Sequence, residues 1–166
     1  MTELVIRQVK TNDLDQCVLI EAACYGPEGA TRDRVKKRID LFPQGFLIAE
    51  YGGQVVGFIN SGATNLDDIG DETFKDMVGH EPTGRNVVIF SLAVQPEFQR
   101  QGFSIALMYS FIETAQRLNK EEILLLCKPD LIPYYEQYGF IHRGPSRSTH
   151  GGLQWQEMYL PLAKTT

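Results

Sequence analysis

Cysteine is scarce in this chain. Cys17, Cys24 and Cys127 are the three present, an odd number at unrelated spacings. They frame neither a disulfide-stapled fold nor a zinc site, no metal is expected, and a reducing cytosol suits them. Positive charge is also short. Lys and Arg total 16 against 21 Asp and Glu, a net charge of −5. That argues against nucleic acid as the main partner, because a phosphate surface selects for a basic footprint. No apolar run reaches the roughly 18 residues that read as a bilayer span, so no membrane partner is expected. Met1-Thr2-Glu3 does not lead from a basic segment into a long apolar one, which predicts no secretory signal. Two glycine motifs for phosphate are missing as well. Without G-x-x-x-x-G-K-[ST] the chain is not a P-loop nucleotidase, and without a G-x-G-x-x-G after a strand a dinucleotide-binding domain is disfavoured. Internal repeats, low-complexity stretches and linkers are absent.

What remains is an ordinary globular mixture. The 166 residues, 43% hydrophobic and 22% charged, suit one domain over 1–166 with a real core. Leu4 to Val9 is rich in β-formers and reads as a strand. Asn12, Asp13 and Asp15 offer caps and acids for a helix carrying Leu14, Cys17 and Val18. Thr31 is a cap for a second helix with Val35, Ile39 and Phe42 on one face, ended by Pro43. Phe46 to Tyr51 and Gln54 to Ile59 flank Gly52-Gly53, a favoured two-residue hairpin turn. Residues 63–86 are polar and glycine-rich, with a short helix expected around Phe74 to Val78.

Asn86 to Val94 is a mostly apolar run typical of a strand buried on both faces. Gly102 then opens a helix whose Ile105, Met108, Ile112, Ala115 and Leu118 mark a core face. Ile123 to Cys127 is another buried strand. Asp130 and Pro133 start a short helix that ends before Gly139. Phe140 to Gly144 and Leu153 to Leu160 are the last two strands. The order βααββ, loop, βαβαββ predicts an α/β (mixed α+β) domain, with the strands flanking the long helix parallel.

The chemically informative segment is Ser91-Leu-Ala-Val-Gln-Pro-Glu-Phe-Gln-Arg-Gln-Gly-Phe-Ser-Ile-Ala-Leu107. A buried strand ends, a short loop follows, and a glycine sits at the mouth of an amphipathic helix. First-turn amides lack intrahelical partners and the helix dipole adds partial positive charge, so the arrangement suits an anion. Arg100 adds a formal charge, and Gly102 permits close approach to the backbone. One glycine is weak evidence, and the same segment also reads as a strand–helix connection that needs glycine for its turn.

Gln99-Arg100-Gln101-Gly102-Phe103-Ser104 after Leu92-Ala93-Val94 resembles the acetyl-CoA signature of the GNAT superfamily, Q/R-x-x-G-x-G/A, with Ser104 where glycine or alanine is usual. Leu126 to Phe140, with Pro133-Tyr-Tyr-Glu-Gln-Tyr-Gly-Phe140, is similar to the segment that carries the family's catalytic tyrosine. The resemblance is nearest to the arylalkylamine (serotonin) N-acetyltransferase branch and is strong from about Val88 to Pro145. It implies a GNAT-like fold, a central mixed twisted sheet of six to seven strands flanked by about four helices. It implies acetyl-CoA as cosubstrate, with Leu92, Ala93 and Val94 facing the pantetheine arm and Arg100, Gln101, Gly102, Phe103, Ser104 and Ile105 facing the phosphates. It also implies that Tyr135 protonates the leaving thiolate. Spacing alone favours reading Tyr134, Tyr135 and Tyr138 as clustered aromatics packing a short helix.

The branch's two histidines fall on Val88 and Phe90, neither of which takes a proton. His80, Glu81 and His142 are other candidate bases, beside ordered water. Residues 63–86 hold six acids against two bases, −4 of the chain's −5, which either steers a cationic amine or keeps the loop soluble. Tyr25, Phe42 and Phe46 either line an apolar acceptor pocket or belong to the core. The expected partner is a small-molecule or peptide amine such as an arylalkylamine or polyamine, met by a monomer or homodimer. The alternatives are a catalytically silent acetyl-CoA-binding module, or transfer with another acyl chain or acceptor.

Overall fold

The computed structural model describes residues 2–67, 69–148 and 152–163. Its strands are β1 (Leu4–Gln8), β2 (Leu47–Tyr51), β3 (Gln54–Thr64), β4 (Asn86–Val94), β5 (Glu122–Cys127), β6 (Ile141–Pro145) and β7 (Gln156–Pro161). They form a seven-stranded sheet in the order β1-β2-β3-β4-β5-β7-β6. The α-helices among the described residues are α1 (Leu14–Tyr25), α2 (Arg32–Leu41), α3 (Phe103–Arg117) and α4 (Ile132–Glu136), with short 3-10 turns between elements. This is the mixed α/β architecture that the alternation of periodicities implies. The chain divides into two compact units, Met1–Ser61 with Ser91–Thr114 and Gly62–Phe90 with Ala115–Thr166.

In the first unit β1, β2 and β3 pair antiparallel. Gly52 and Gly53 turn the hairpin with φ of 61° and 78°, the left-handed pair that matches strand twist. A register shift between Ala49 and Glu50 leaves Val56 bulged, and its carbonyl accepts the Gln95 N–H at 2.7 Å. Thr31 caps α2 as its residue type predicts, the hydroxyl accepting from Arg34 N–H at 3.3 Å. Asp13 stands at the start of α1 but makes no side-chain cap bond to that helix. Its carboxylate instead accepts Arg7 Nη1 and Nη2 at 2.8 and 3.0 Å and the Lys10 N–H at 2.7 Å. Burial pushes the Asp13 carboxyl up, but these bonds outweigh it and hold it below the usual carboxylate range.

The core of this unit gathers Val9, Cys17, Ile20, Val35, Ile39, Phe46, Ile48, Phe58 and Ala93. Phe42 and Phe46 have no exposed surface, and Phe46 packs on Phe58 at 5.6 Å between ring centroids. They belong to the core, because two phenyl groups on the inner face gain most by leaving water altogether. Burial also pushes the Cys17 thiol up to about 12.

In the second unit β4 pairs parallel with β5 over Asn86–Ile89 and Glu122–Leu125, as expected. β7 lies antiparallel between β5 and β6. Ile69, Phe74, Val88 and Leu124 form the core cluster here, with Phe90, Leu126 and Tyr159 packed against it. The helix expected around Phe74 is a 3-10 turn, Glu72–Asp76. Asp130 caps nothing: it lies inside a 3-10 turn, Pro129–Leu131, and Leu131 occupies the cap position of α4. Lys120 is buried at 6% exposure. Its ammonium donates to the Pro82 and Gly84 carbonyls, both at 2.6 Å, and desolvation lowers its pKa. Among the described residues no helix is long and apolar enough to cross a membrane.

Candidate functional site

β4 delivers the candidate cofactor residues at its C-terminal end. Gln95 N–H bonds to β3, and a methyl group built on Gly57 would meet the Ala93 carbonyl oxygen at 2.7 Å. Backbone groups of successive strand residues point to opposite edges, so odd-numbered residues here face β3 while Leu92 and Val94 face away from it. Of the three strand residues, Ala93 is therefore the one whose backbone groups face β3. It is 3% exposed within the core, which leaves Leu92 and Val94 to present backbone groups outward.

The loop that follows is held tightly. Phe98 N–H donates to Gln95 O at 2.8 Å, Gln99 N–H to Pro96 O at 3.3 Å, and the Gln99 side chain to Val94 O at 2.8 Å. Arg100 and Gly102 are both left-handed, at φ of 65° and 82°. A methyl group on Gly102 would meet nothing within 4 Å, so the backbone there is open to approach. Arg100, Gln101 and Gly102 are exposed. The first intrahelical bond of α3 is Ala106 N–H to Gly102 O at 3.1 Å, so the amides of Phe103, Ser104 and Ile105 have no acceptor within the helix. Phe103 contributes backbone alone, since its ring is buried and packs on Tyr51 at 5.1 Å. Ile105 is exposed and Ser104 half-buried. The segment singled out in sequence is thus one continuous strand end, loop and helix mouth, and its donor set fits a pyrophosphate.

Several neighbours were not foreseen. Tyr25, at the end of α1, donates its hydroxyl to Leu92 O at 2.7 Å, and the same oxygen accepts the Leu92 N–H at 3.3 Å. The Cys24 thiol donates to Val94 O at 3.2 Å. Glu21, 2% exposed, accepts the Ala30 N–H at 2.9 Å and the Ser91 hydroxyl at 3.0 Å. Burial raises the Glu21 carboxyl above its ordinary range, and the Ala30 amide, the Arg38 charge and the Ser91 hydroxyl only partly offset it. The helical spacing Glu21, Cys24, Tyr25 was the available signal, but no motif marks it.

The second unit holds the remaining candidates. Tyr135 is half-buried and meets Tyr134 and Phe140 edge-on, at 5.1 and 5.9 Å. In this cluster the Tyr138 hydroxyl donates to the Tyr134 hydroxyl at 2.8 Å. Val88 and Phe90 lie in the apolar cluster, Phe90 packing on Phe74 at 5.4 Å. His80 accepts the Ala63 N–H at Nδ1, 2.9 Å, so that lone pair is engaged and a base role there loses its acceptor. His142 is exposed and its Nε2 meets Gln156 Oε1 at 2.7 Å. The acids of residues 63–86 are largely tied locally. Asp67 pairs with Arg85 at 2.6 Å and Glu72 with Lys75 at 3.3 Å. Asp71 accepts from Thr73, and Glu81 from Asn65 at 2.8 Å. Asp68 lies outside the described residues.

Comparison with known proteins bears on the fold and the family. A probable hydrolase, YhcX, from Bacillus subtilis (strain 168) is 27% identical over 144 residues, 82% of this chain and 28% of that protein. Serotonin N-acetyltransferase from Mesocricetus auratus is 27% identical over 131 residues, 78% of this chain and 62% of that protein. The chain therefore spans less than two thirds of the length of either relative. The crystal structure of the loading GNATL domain of CurA from Lyngbya majuscula superposes with a TM-score of 0.84 at 17% identity, covering 96% of this chain and 98% of that one. The family model for the acetyltransferase (GNAT) family matches residues 14–140. With strand end, left-handed loop and helix mouth falling inside that match, the chain belongs to the acetyltransferase (GNAT) family.

Proposed function

We propose that this chain is an acetyl-CoA-dependent N-acetyltransferase. In this reading it is one domain over 1–166, acting in the cytosol as a monomer or homodimer, and it transfers acetyl to a primary amine by direct attack in a ternary complex. The observation that carries the reading is the exposed, left-handed Arg100–Gly102 loop opening onto the first turn of the 15-residue α3. The helix dipole, the first-turn amides and the formal charge of Arg100 next to them in sequence support a pyrophosphate there.

Acetyl-CoA supplies an activated acyl carbon. The chain's part is to hold, orient and move protons. Arg100, Gln101 and Gly102 with the amides of Phe103, Ser104 and Ile105 hold the phosphates. Leu92 and Val94 offer backbone groups to the pantetheine arm, with Ala93 seated behind them. The acceptor amine has a pKa near 10, so about one molecule in a thousand is neutral at pH 7; binding it beside the thioester offsets part of that deficit. The new bond is amine nitrogen to acyl carbon, the broken one acyl carbon to sulfur. The amine proton leaves through ordered water, and Tyr135 returns a proton to sulfur. Similarity to serotonin N-acetyltransferase favours an arylalkylamine acceptor, with polyamines and peptide amines as alternatives of the same chemistry.

A second reading has a specific observation behind it. Val88 and Phe90 fill the positions of the related histidines with core side chains, which favours a silent acetyl-CoA-binding module. Thiol release from acetyl-CoA with tryptamine, phenethylamine, spermidine, lysine and short peptides separates the two. Turnover that Tyr135→Phe lowers at least tenfold, with acetyl-CoA affinity unchanged, supports the enzyme and the role of Tyr135. Tight binding without turnover favours the module, and full activity in Tyr135→Phe removes that residue's assignment.

A further inference from the structure

An extended residue points its N–H and C=O to the same strand edge. At Leu92 a single oxygen satisfies both, since the Tyr25 hydroxyl donates to the carbonyl at 2.7 Å and accepts the amide at 3.3 Å. This edge faces away from β3, and the parallel register of β4 with β5 ends at Ile89. Beyond that point a bare strand edge would invite pairing with another chain, and the tyrosine covers it. A hydroxyl that donates and accepts at once has the same complement as a secondary amide. The pantetheine arm carries two secondary amides in a row. Two residues further along the same edge, Val94 O is held by Cys24 Sγ at 3.2 Å and Gln99 Nε2 at 2.8 Å.

We infer that the Tyr25 hydroxyl is a place-holder for a pantetheine amide, which the incoming cofactor displaces from Leu92. The inference rests on the acetyl-CoA reading above and adds to it a residue that opposes cofactor binding while keeping the strand edge paired. Tyr25 ends α1, and the next three residues form a 3-10 turn before α2, so its release frees the side chain at the junction between the two helices. The hydroxyl is already partly in solvent, with Tyr25 38% exposed. Displacement therefore exchanges two hydrogen bonds to Leu92 for bonds to water.

The test is calorimetric titration of wild type and Tyr25→Phe with coenzyme A and with ADP, which carries the pyrophosphate but no pantetheine arm. Removing the place-holder should tighten coenzyme A roughly tenfold, the worth of a pair of modest hydrogen bonds, and leave ADP unchanged. The Leu92 amide proton resonance of the ligand-free protein should move upfield in the variant, which reports the lost bond directly even if stability changes. Weaker coenzyme A binding in Tyr25→Phe would overturn the inference and make the tyrosine a cofactor ligand. Equal affinity in both proteins would also overturn it, while leaving the acetyl-CoA reading intact. A wild type that binds neither coenzyme A nor ADP would overturn both.

Discussion

Gly57→Ala probes how closely β3 is set against the part of β4 that carries the cofactor edge. A methyl group at Gly57 would lie 2.7 Å from the Ala93 carbonyl oxygen, 3.2 Å from Val94 Cγ2 and 3.3 Å from Val94 Cα. Ordinary contact begins near 3.4 Å, so one strand must move by several tenths of an ångström. The nearest atom belongs to backbone, which the Gln95 N–H bond to Val56 O at 2.7 Å holds against β3, so it yields poorly. Overpacking of this kind costs about 2 kcal/mol, which in a chain of this length lowers Tm by about 4–8 °C. The displacement falls on Ala93 and Val94, so coenzyme A affinity should drop severalfold while the folded chain keeps its secondary structure. Thermal melts followed by circular dichroism, with calorimetric titration of coenzyme A, read both. A variant that melts with wild type and binds coenzyme A equally would refute the argument, because the strands would then have room that the 2.7 Å contact denies.

Two further predictions concern charge. Asp13→Asn should cost about 2 kcal/mol at neutral pH, since it takes the carboxylate that accepts two bonds from the half-buried Arg7 guanidinium and leaves it Glu50 alone, at 3.2 Å. The Asp13 contribution is present above the ordinary carboxylate value of 3.8 and is lost as pH falls through the lower folded value. Wild type and variant should therefore converge in urea melts taken toward strong acid, and a constant gap would speak against the ion pair as its origin. Glu21 has the opposite sign. Its folded pKa lies above the ordinary 4.5, so the native chain holds a proton that the unfolded one releases, and stability falls as pH rises through that interval. Glu21→Gln keeps an oxygen for Ala30 and Ser91 but does not titrate, so its Tm should decline less than that of wild type from pH 4.5 upward. Parallel curves would show that burial does not raise this carboxyl.

The central elements were readable because their signals are strong and local. Asn86–Val94 is a long apolar run and α3 has a clear apolar face, so strand, helix and their parallel partner β5 fall where pattern puts them. The helix mouth was readable for the same reason, since Gly102 sits at a change of period. β3 was not: it continues through Asn60, Ser61 and Gly62 to Thr64, residues that look like loop. Asn60 and Ser61 have no exposed surface, and the Ser61 hydroxyl donates to Gly45 O at 2.8 Å, so tertiary contacts override a polar composition. Tyr25 was read as a possible aromatic wall, yet its hydroxyl meets a backbone 67 residues away. No periodicity within α1 encodes such a partner.

Lys120 has a consequence for the life of a chain proposed to handle a thioester. Uncatalysed acylation needs an amine that is both deprotonated and reachable. Burial moves Lys120 toward the neutral form, the chemically vulnerable state, and the same burial closes it to any donor at 6% exposure, its hydrogens committed to Pro82 and Gly84. Susceptibility and access thus part company at this residue. Acylation there would cost the clamp on the end of the acidic segment, and the fold itself withholds the nitrogen from the reagent.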